Sequence, residues 1–308
     1  MTITFSQSKI KSWRRCHKQY RYKYDEGLTR RQAPSALARG VTLHEMLDAR
    51  ALGKDWGIPL EEYRQSYTKM FADEAEGYPT PEELESLYLR YCEKYKDDGL
   101  DYGGRSEIEV QVKHRGLTFK GIIDKIVKDP QGRTFVCDHK THKVLPSEDA
   151  RFSDIQTVLY YWALRETGEQ VDGVMWDYLR TKPPAVPELL KNGGLSRRAN
   201  IDTDYETYLK AITDNGLNPA DYQDMLDKVK GNTFFKRIYL PKPNEQLVQS
   251  VVNDFFDTAE EIQNSKSSVR NLTKDCSMCS YFSICGEEVR GLDSSFTRKQ
   301  LFVVKAPS

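Results

Sequence analysis

The stretch Leu117–Lys140, LTFKGIIDKIVKDPQGRTFVCDHK, decides the fold. Leu117 to Val127 is rich in β-branched and aromatic residues and reads as a strand. Asp129-Pro130-Gln131-Gly132 is a turn, and Arg133 to Lys140 is the strand that returns. One acid, Asp124, interrupts the first strand. On the second, Asp138 and Lys140 stand two residues apart and so share a face, while Cys137 and His139 point to the other and read as packing residues. A hairpin brings Asp124 close to Asp138. Two carboxylates beside a lysine suit a hard divalent cation. Such an ion polarises a phosphate, stabilises the leaving oxygen and lowers the pKa of bound water. Lys140 would orient that water, or deprotonate it if its own pKa is depressed. A partly exposed, salt-bridged strand pair is the other reading of these two segments.

Upstream, Glu107 to Val112 alternates and turns through His114-Arg115-Gly116 into Leu117. Before it the period is helical. Ser6 can cap a helix to about Tyr24, with Ile10, Trp13, His17, Tyr20 and Tyr24 on one stripe. A second helix is expected from about Ser35 to Leu52, burying Leu37, Val41, His44 and Leu47, with more helix to about residue 98. Downstream, residues 153–167 read as a helix with Ile155, Leu159 and Trp162 inward, and Val171 to Leu179 as a strand. A loop or insertion at 181–200, two short helices, a strand at 233–240 and a helix at 244–263 lead to a cysteine-bearing tail. This order predicts an α/β fold, a mixed sheet flanked by helices. The expected division is an N-terminal helical region (1–100), a core (101–180), an insertion with completing elements (181–263) and the tail (264–308).

Hydrophobic residues at 38% and charged residues at 30% fit a soluble globular chain. No run approaches the roughly 18 apolar residues of a membrane helix, and no secretory signal is visible at Met1–Phe5, so a cytosolic setting is expected. Net charge is zero, but residues 9–31 carry nine Lys or Arg against Asp25 and Glu26. That segment suits a phosphate backbone; a solvated helix face is the alternative. No phosphate-binding loop of a helicase motor is present.

Asp124 followed by Asp138-His139-Lys140 resembles the signature of the PD-(D/E)XK nuclease superfamily, with Asp in the second acidic place. Gly40-Val41-Thr42-Leu43-His44 is similar to the G-x-x-x-H motif of its RecB-like branch, and Gln156-Thr157-Val158-Leu159-Tyr160 to that branch's Q-x-x-x-Y motif. The resemblance implies a restriction-endonuclease-like fold. It implies that His44, Asp124, Asp138 and the backbone carbonyl of His139 hold Mg²⁺ or Mn²⁺, and that Lys140 serves the attacking water. Gln156 and Tyr160, on one helical face, would help position DNA and the lysine. Glu107 matches a carboxylate often found on the first strand of the family, though Glu109 is expected on the same face.

Three thiols crowd the tail, in Cys276-Ser277-Met278-Cys279 and Cys285. Of the remaining cysteines, Cys137 lies in a strand core and Cys92 in an acidic segment, so Cys16 is the best fourth partner. One N-terminal cysteine plus C-x2-C-x5-C resembles the iron–sulfur staple of RecB-like phage and CRISPR-adaptation exonucleases and of AddB-type helicase–nucleases. A 4Fe–4S cluster that ties the termini together is implied; structural zinc and free buried cysteines remain open. The expected function is that of a metal-dependent exonuclease on single-stranded DNA or duplex ends. Trp13, Tyr20, Tyr22 and Tyr24 would either stack on bases or pack in the core. The alternatives are an endonuclease or processing component of a recombination or CRISPR-related complex, and a nuclease-dead DNA-binding scaffold. A homo-oligomer is compatible with each.

Overall fold

The computed structural model describes residues 4–70, 75–147 and 154–305. Its centre is a six-stranded mixed sheet. Strands β3 (Ser106–His114), β4 (Leu117–Lys128) and β5 (Thr134–His142) form the antiparallel run that the sequence anticipates. Strand β6 (Gly173–Arg180) joins β5 in parallel, and β7 (Phe235–Pro241) joins β6 antiparallel. β6 is buried along its whole length, as expected for a parallel strand covered on both faces. The sequence reading missed a short strand, β1 (Thr4–Phe5), which pairs in parallel with β4 at Thr118 and Phe119. β3 fills one edge of β4, so β1 and β5 share the other.

Helices cover both faces. On one side α6 (Gln156–Glu166) and α9 (Glu245–Asn264) pack Leu159, Trp162, Phe255 and Phe256 against Phe119, Ile123 and Val136. On the other, α3 (Ser35–Ala51), α4 (Gly57–Tyr67) and α5 (Pro81–Lys94) gather Leu43, Met46, Leu47, Tyr88 and Tyr91 around Leu179 and Phe235. Thr80 and Glu83 make a reciprocal capping box at the start of α5. Residues 181–232 carry α7 (Tyr205–Asp214) and α8 (Gln223–Val229), whose Tyr208, Ile212, Met225 and Leu226 form a third cluster with Leu195. No helix of the described residues is long and apolar enough to cross a membrane.

The N-terminal segment departs from expectation. The first helix, α1 (Gln7–Arg15), ends there because Cys16 is extended; the chain resumes as α2 (His17–Tyr20) and one π-helical turn to Asp25. On α3 the expected stripe is rotated, with Leu37 and Val41 exposed and Leu43 and Met46 buried. Trp13, Tyr20 and Tyr22 are core residues and cannot stack on bases.

Nor are most of the early cations free for phosphate. Arg14 donates to Thr258 Oγ1 and the carbonyl of Asp254, Arg15 to the carbonyl of Asp275, and Arg21 to the carbonyls of Ser265 and Ser267. Arg14 grips α9, and Arg15 and Arg21 the C-terminal tail. Strand β2 (Leu28–Arg30) pairs antiparallel with β8 (Phe302–Val304), and α10 (Phe282–Val289) lies between the two ends. Its Glu288 is the hub, accepting from Tyr22 Oη at 2.7 Å, Arg270 at 2.8 Å and Arg298 at 2.7 Å, with Lys18 3.4 Å away. Burial alone would raise this carboxyl, but Arg298, Tyr22 and Lys18 outweigh it and hold the group at about 2.

A depressed carboxylate stabilises the fold above its unfolded pKa and loses that contribution as pH falls through the folded value. Glu288→Gln should therefore cost about 2 kcal/mol in urea unfolding at pH 7. The gap from wild type should close as pH drops from about 4.5 towards 2; a gap that stays constant would show that the ionised group is not what holds the clasp.

Candidate active site

The β4–β5 ladder stops at Lys125 opposite Cys137. One step further, where Asp124 would face Asp138, the strands part. There Asp124 Oδ2 accepts the backbone N–H of His139 at 2.8 Å, replacing the lost ladder bond with a side chain. Alternation in β4 slips at the same place, since Ile123 and Ile126 both enter one core. On the facing strand Glu107 has φ +51°, in the left-handed region that few non-glycine residues occupy. The local backbone is bent around the acids.

Asp138 and Lys140 share the face of Val136, while Cys137 and His139 lie on the other with Phe135, as alternation requires. Lys140 Nζ is 2.7 Å from Asp138 Oδ2 and 3.0 Å from Asp154 Oδ2. Asp154, just before α6, was not anticipated; its other oxygen accepts the N–H of Gln156 at 3.2 Å. His44 Nδ1 lies 3.6 Å from Asp124 Oδ2. Gln156 Nε2 donates to Tyr160 Oη at 2.7 Å, and the Tyr160 ring lies against Gly121, where a Cβ would come within 2.7 Å of it. Any larger residue at 121 would displace the ring.

The electrostatics are those of crowded acids. Burial pushes Asp124 up to about 6, against the pull of the His139 N–H and Lys140. Burial also raises Asp138 to about 6; Lys140 opposes this and Asp124 adds to it. Glu107 is pushed to about 7 by desolvation with Asp48 and Asp124 beside it, whereas Glu109 pairs on the surface with Lys120 at 2.6 Å. The two glutamates, expected on one face, are thus separated. Burial lowers His44, against the pull of Asp138 and Asp48, and so favours the neutral imidazole that can act as a ligand. Burial lowers Lys140, but Asp138 and Asp154 prevail and raise it, which favours the ammonium and its role in orienting water.

Behind the acids is a buried polar network with no sequence signal, because its members read as ordinary surface charges. Lys125, 1% exposed, reaches His139 Nε2 at 2.9 Å and Asp48 Oδ1 at 3.4 Å. His139 Nδ1 is 3.4 Å from the fully buried Asp177, which also accepts from Arg237 Nε at 3.2 Å and from Tyr91 Oη. His139 is therefore more than packing. Cys137, His139 and Asp177 offer atoms within 4.8 Å of one another, but Lys125 and Arg237 already meet that charge, so a cation would meet two others there. Asp48 sits one turn beyond His44 on α3 and also accepts from Ser106 Oγ. Lys125 and Ser106 thereby fasten the helix of His44 to the strands of the acids.

Far from this site, Cys16, Cys276, Cys279 and Cys285 all line one cavity of about 230 Å³ between the chain ends, as free thiols. Cys92 and Cys137 lie elsewhere.

Residues 4–286 match a family model described as the PD-(D/E)XK nuclease superfamily. No curated protein matches the sequence. Similar solved structures include a provisionally named exonuclease from Eubacterium rectale, at 13% identity and TM-score 0.48, covering 89% of this chain and 87% of that one. Another is the protein SSO0001, at 14% identity and TM-score 0.33, covering 81% and 94%.

Lys125→Met leaves Asp48 without its buried partner and should cost about 3 kcal/mol in chemical unfolding, with Lys125→Arg recovering part. A Met variant as stable as wild type would show that the network does not brace the sheet.

Proposed function

Because this chain belongs to the PD-(D/E)XK nuclease superfamily, we propose that it is a divalent-metal-dependent exonuclease acting on single-stranded DNA or DNA ends. Its site residues in this reading are Asp124, Asp138 and Lys140. The observation that carries it is the pair of buried carboxylates, each raised to about 6, with Lys140 beside them. Acids crowded in this way lack positive charge, and a hard divalent ion supplies it. His44, Asp124, Asp138 and the carbonyl of His139 are the residues that would hold Mg²⁺ or Mn²⁺, an oxygen-rich set with one imidazole. When bound, such an ion polarises the scissile phosphate and acidifies water. Lys140, held as an ammonium by Asp138 and Asp154, contributes donors and charge: it orients the attacking water and offsets the developing negative charge on phosphate. In the same reading Gln156 and Tyr160 help position DNA and Lys140, the buried Tyr160 acting through its hydrogen bond to the Gln156 amide. The exonuclease mode and the single-strand preference rest on the RecB-like motifs at His44 and Gln156–Tyr160.

The four thiols that share one cavity are, in the same reading, ligands of a 4Fe–4S cluster, with structural zinc as the second candidate. The donor set is all thiol and drawn from both chain ends. Bound there, the group would add a covalent bridge to the Glu288 clasp.

Asp138→Ala or Lys140→Ala should abolish cleavage with unchanged circular dichroism; an active Lys140→Ala protein would overturn the assignment. Linear single strands should be degraded with Mg²⁺ or Mn²⁺ and circular ones spared, whereas cut circles would make it an endonuclease. Both acids must be ionised to act, so the rate should fall as pH drops through about 6. Because protons compete with the ion for the same oxygens, added metal should move that midpoint down; a midpoint indifferent to metal would separate the acids from ion binding. Anaerobically purified protein should be brown, with about four iron atoms per chain. Colourless protein with about one zinc would favour the alternative.

A further inference from the structure

A cavity of about 560 Å³ opens at the carboxyl ends of the parallel strands β5 and β6, where open α/β sheets commonly bind ligands. Its wall carries Arg39, Arg90, Lys143, Arg180 and Lys182 against Glu82 and Glu83. Most of these charges are already matched. Arg90 holds Asp204 at 2.6 Å, Arg180 and Lys182 share Asp202 at 2.9 Å, and Glu82 binds Arg64. Glu83 is engaged in the capping box of α5. Arg39 and Lys143 have no ion-pair partner among the described residues, so the charge left facing the cavity is positive.

The cavity lies beside the elements that carry the candidate active site. Lys143 follows Lys140 by three residues, at most about 10 Å of extended chain. Arg39 precedes His44 by five residues on α3, about 7.5 Å of helix. These two rails run side by side, for a Cβ on Gly40 would lie 3.3 Å from Thr141 Oγ1. The cavity's volume is that of a small-molecule cleft, a scale that suits an unpaired strand better than a duplex.

We infer that this cavity is a single-strand subsite, in which Arg39 and Lys143 bind backbone phosphates within about three nucleotides of the scissile bond, at about 3.4 Å per stacked nucleotide. This rests on the nuclease reading and adds to it the strand's path and the residues that hold it. Phosphate on a released mononucleotide has the same chemistry, so the test separates strand from product.

The full chain and its Arg39→Ala/Lys143→Ala variant are compared in EDTA, by fluorescence anisotropy, on a labelled oligothymidylate and on a blunt duplex. The variant should bind the single strand about tenfold more weakly, and its log–log salt slope should shrink by about 1.4, or 0.7 for each lost phosphate contact. Duplex affinity should not change. Hydrolysis of bis(4-nitrophenyl) phosphate with Mn²⁺, which is too small to span the subsite, should proceed at the wild-type rate. An unchanged single-strand affinity and slope would overturn the inference, as would an equal loss on duplex or a loss of small-substrate hydrolysis. Relief of thymidine 5′-monophosphate inhibition without weaker strand binding would assign the cavity to product and overturn it too. If wild type cleaves neither DNA nor the small diester, the nuclease reading fails, while weakened strand binding by the variant would still stand.

Discussion

Two carboxylates on neighbouring strands, withdrawn from water on one side of a sheet, cannot both stay charged unless something positive stands beside them. Much of the arrangement around Asp124 and Asp138 answers that constraint. Lys140 supplies one charge and is itself steadied by Asp154. The N–H of His139 supplies a partial charge, and is available only because the ladder has parted there. What remains is a pair of raised carboxyls beside His44, the set that the proposed divalent ion would use.

The same strand serves two chemistries because its side chains alternate. Asp138 and Lys140 face α6, whereas His139 between them turns to Lys125 and Asp177. The far side is more completely enclosed, and each of its charges has an opposite within reach. Burial there lowers His139 to about 4 and Lys125 adds to that, so the ring is neutral and can accept from the ammonium. A polar layer of this kind is costly to enclose, but it allows few arrangements that satisfy all its members, and so it fixes strand register beneath the acids.

Strands β3 to β7 were legible because alternation and turn chemistry are local, and the acid–lysine spacing was legible because two residues along a strand is one face. What escaped was non-local. Two residues of β1 and three each of β2 and β8 are too short to show a period, and their partners lie more than a hundred residues away. The break at Cys16 has no glycine or proline to mark it. His44 was expected inward on an apolar stripe, but α3 buries Leu43 and Met46 and leaves its histidine at the rim beside Asp124. The basic N-terminal run looked like a phosphate-binding face because composition gives the charges and not the carbonyls that accept from them. Asp48, Lys125 and Asp177 were silent for the same reason.

The joined chain ends bear on how the molecule is made. Tyr22 waits for Glu288, a separation of 266 residues, and Leu28 waits for Val304. During synthesis Tyr22 and Leu28–Arg30 therefore wait for residues 281–304, although β1 can add to β4 much earlier. Long-range closure of this kind comes late and slowly. Tyr22 and Leu28 would spend that interval without the side chains that bury them.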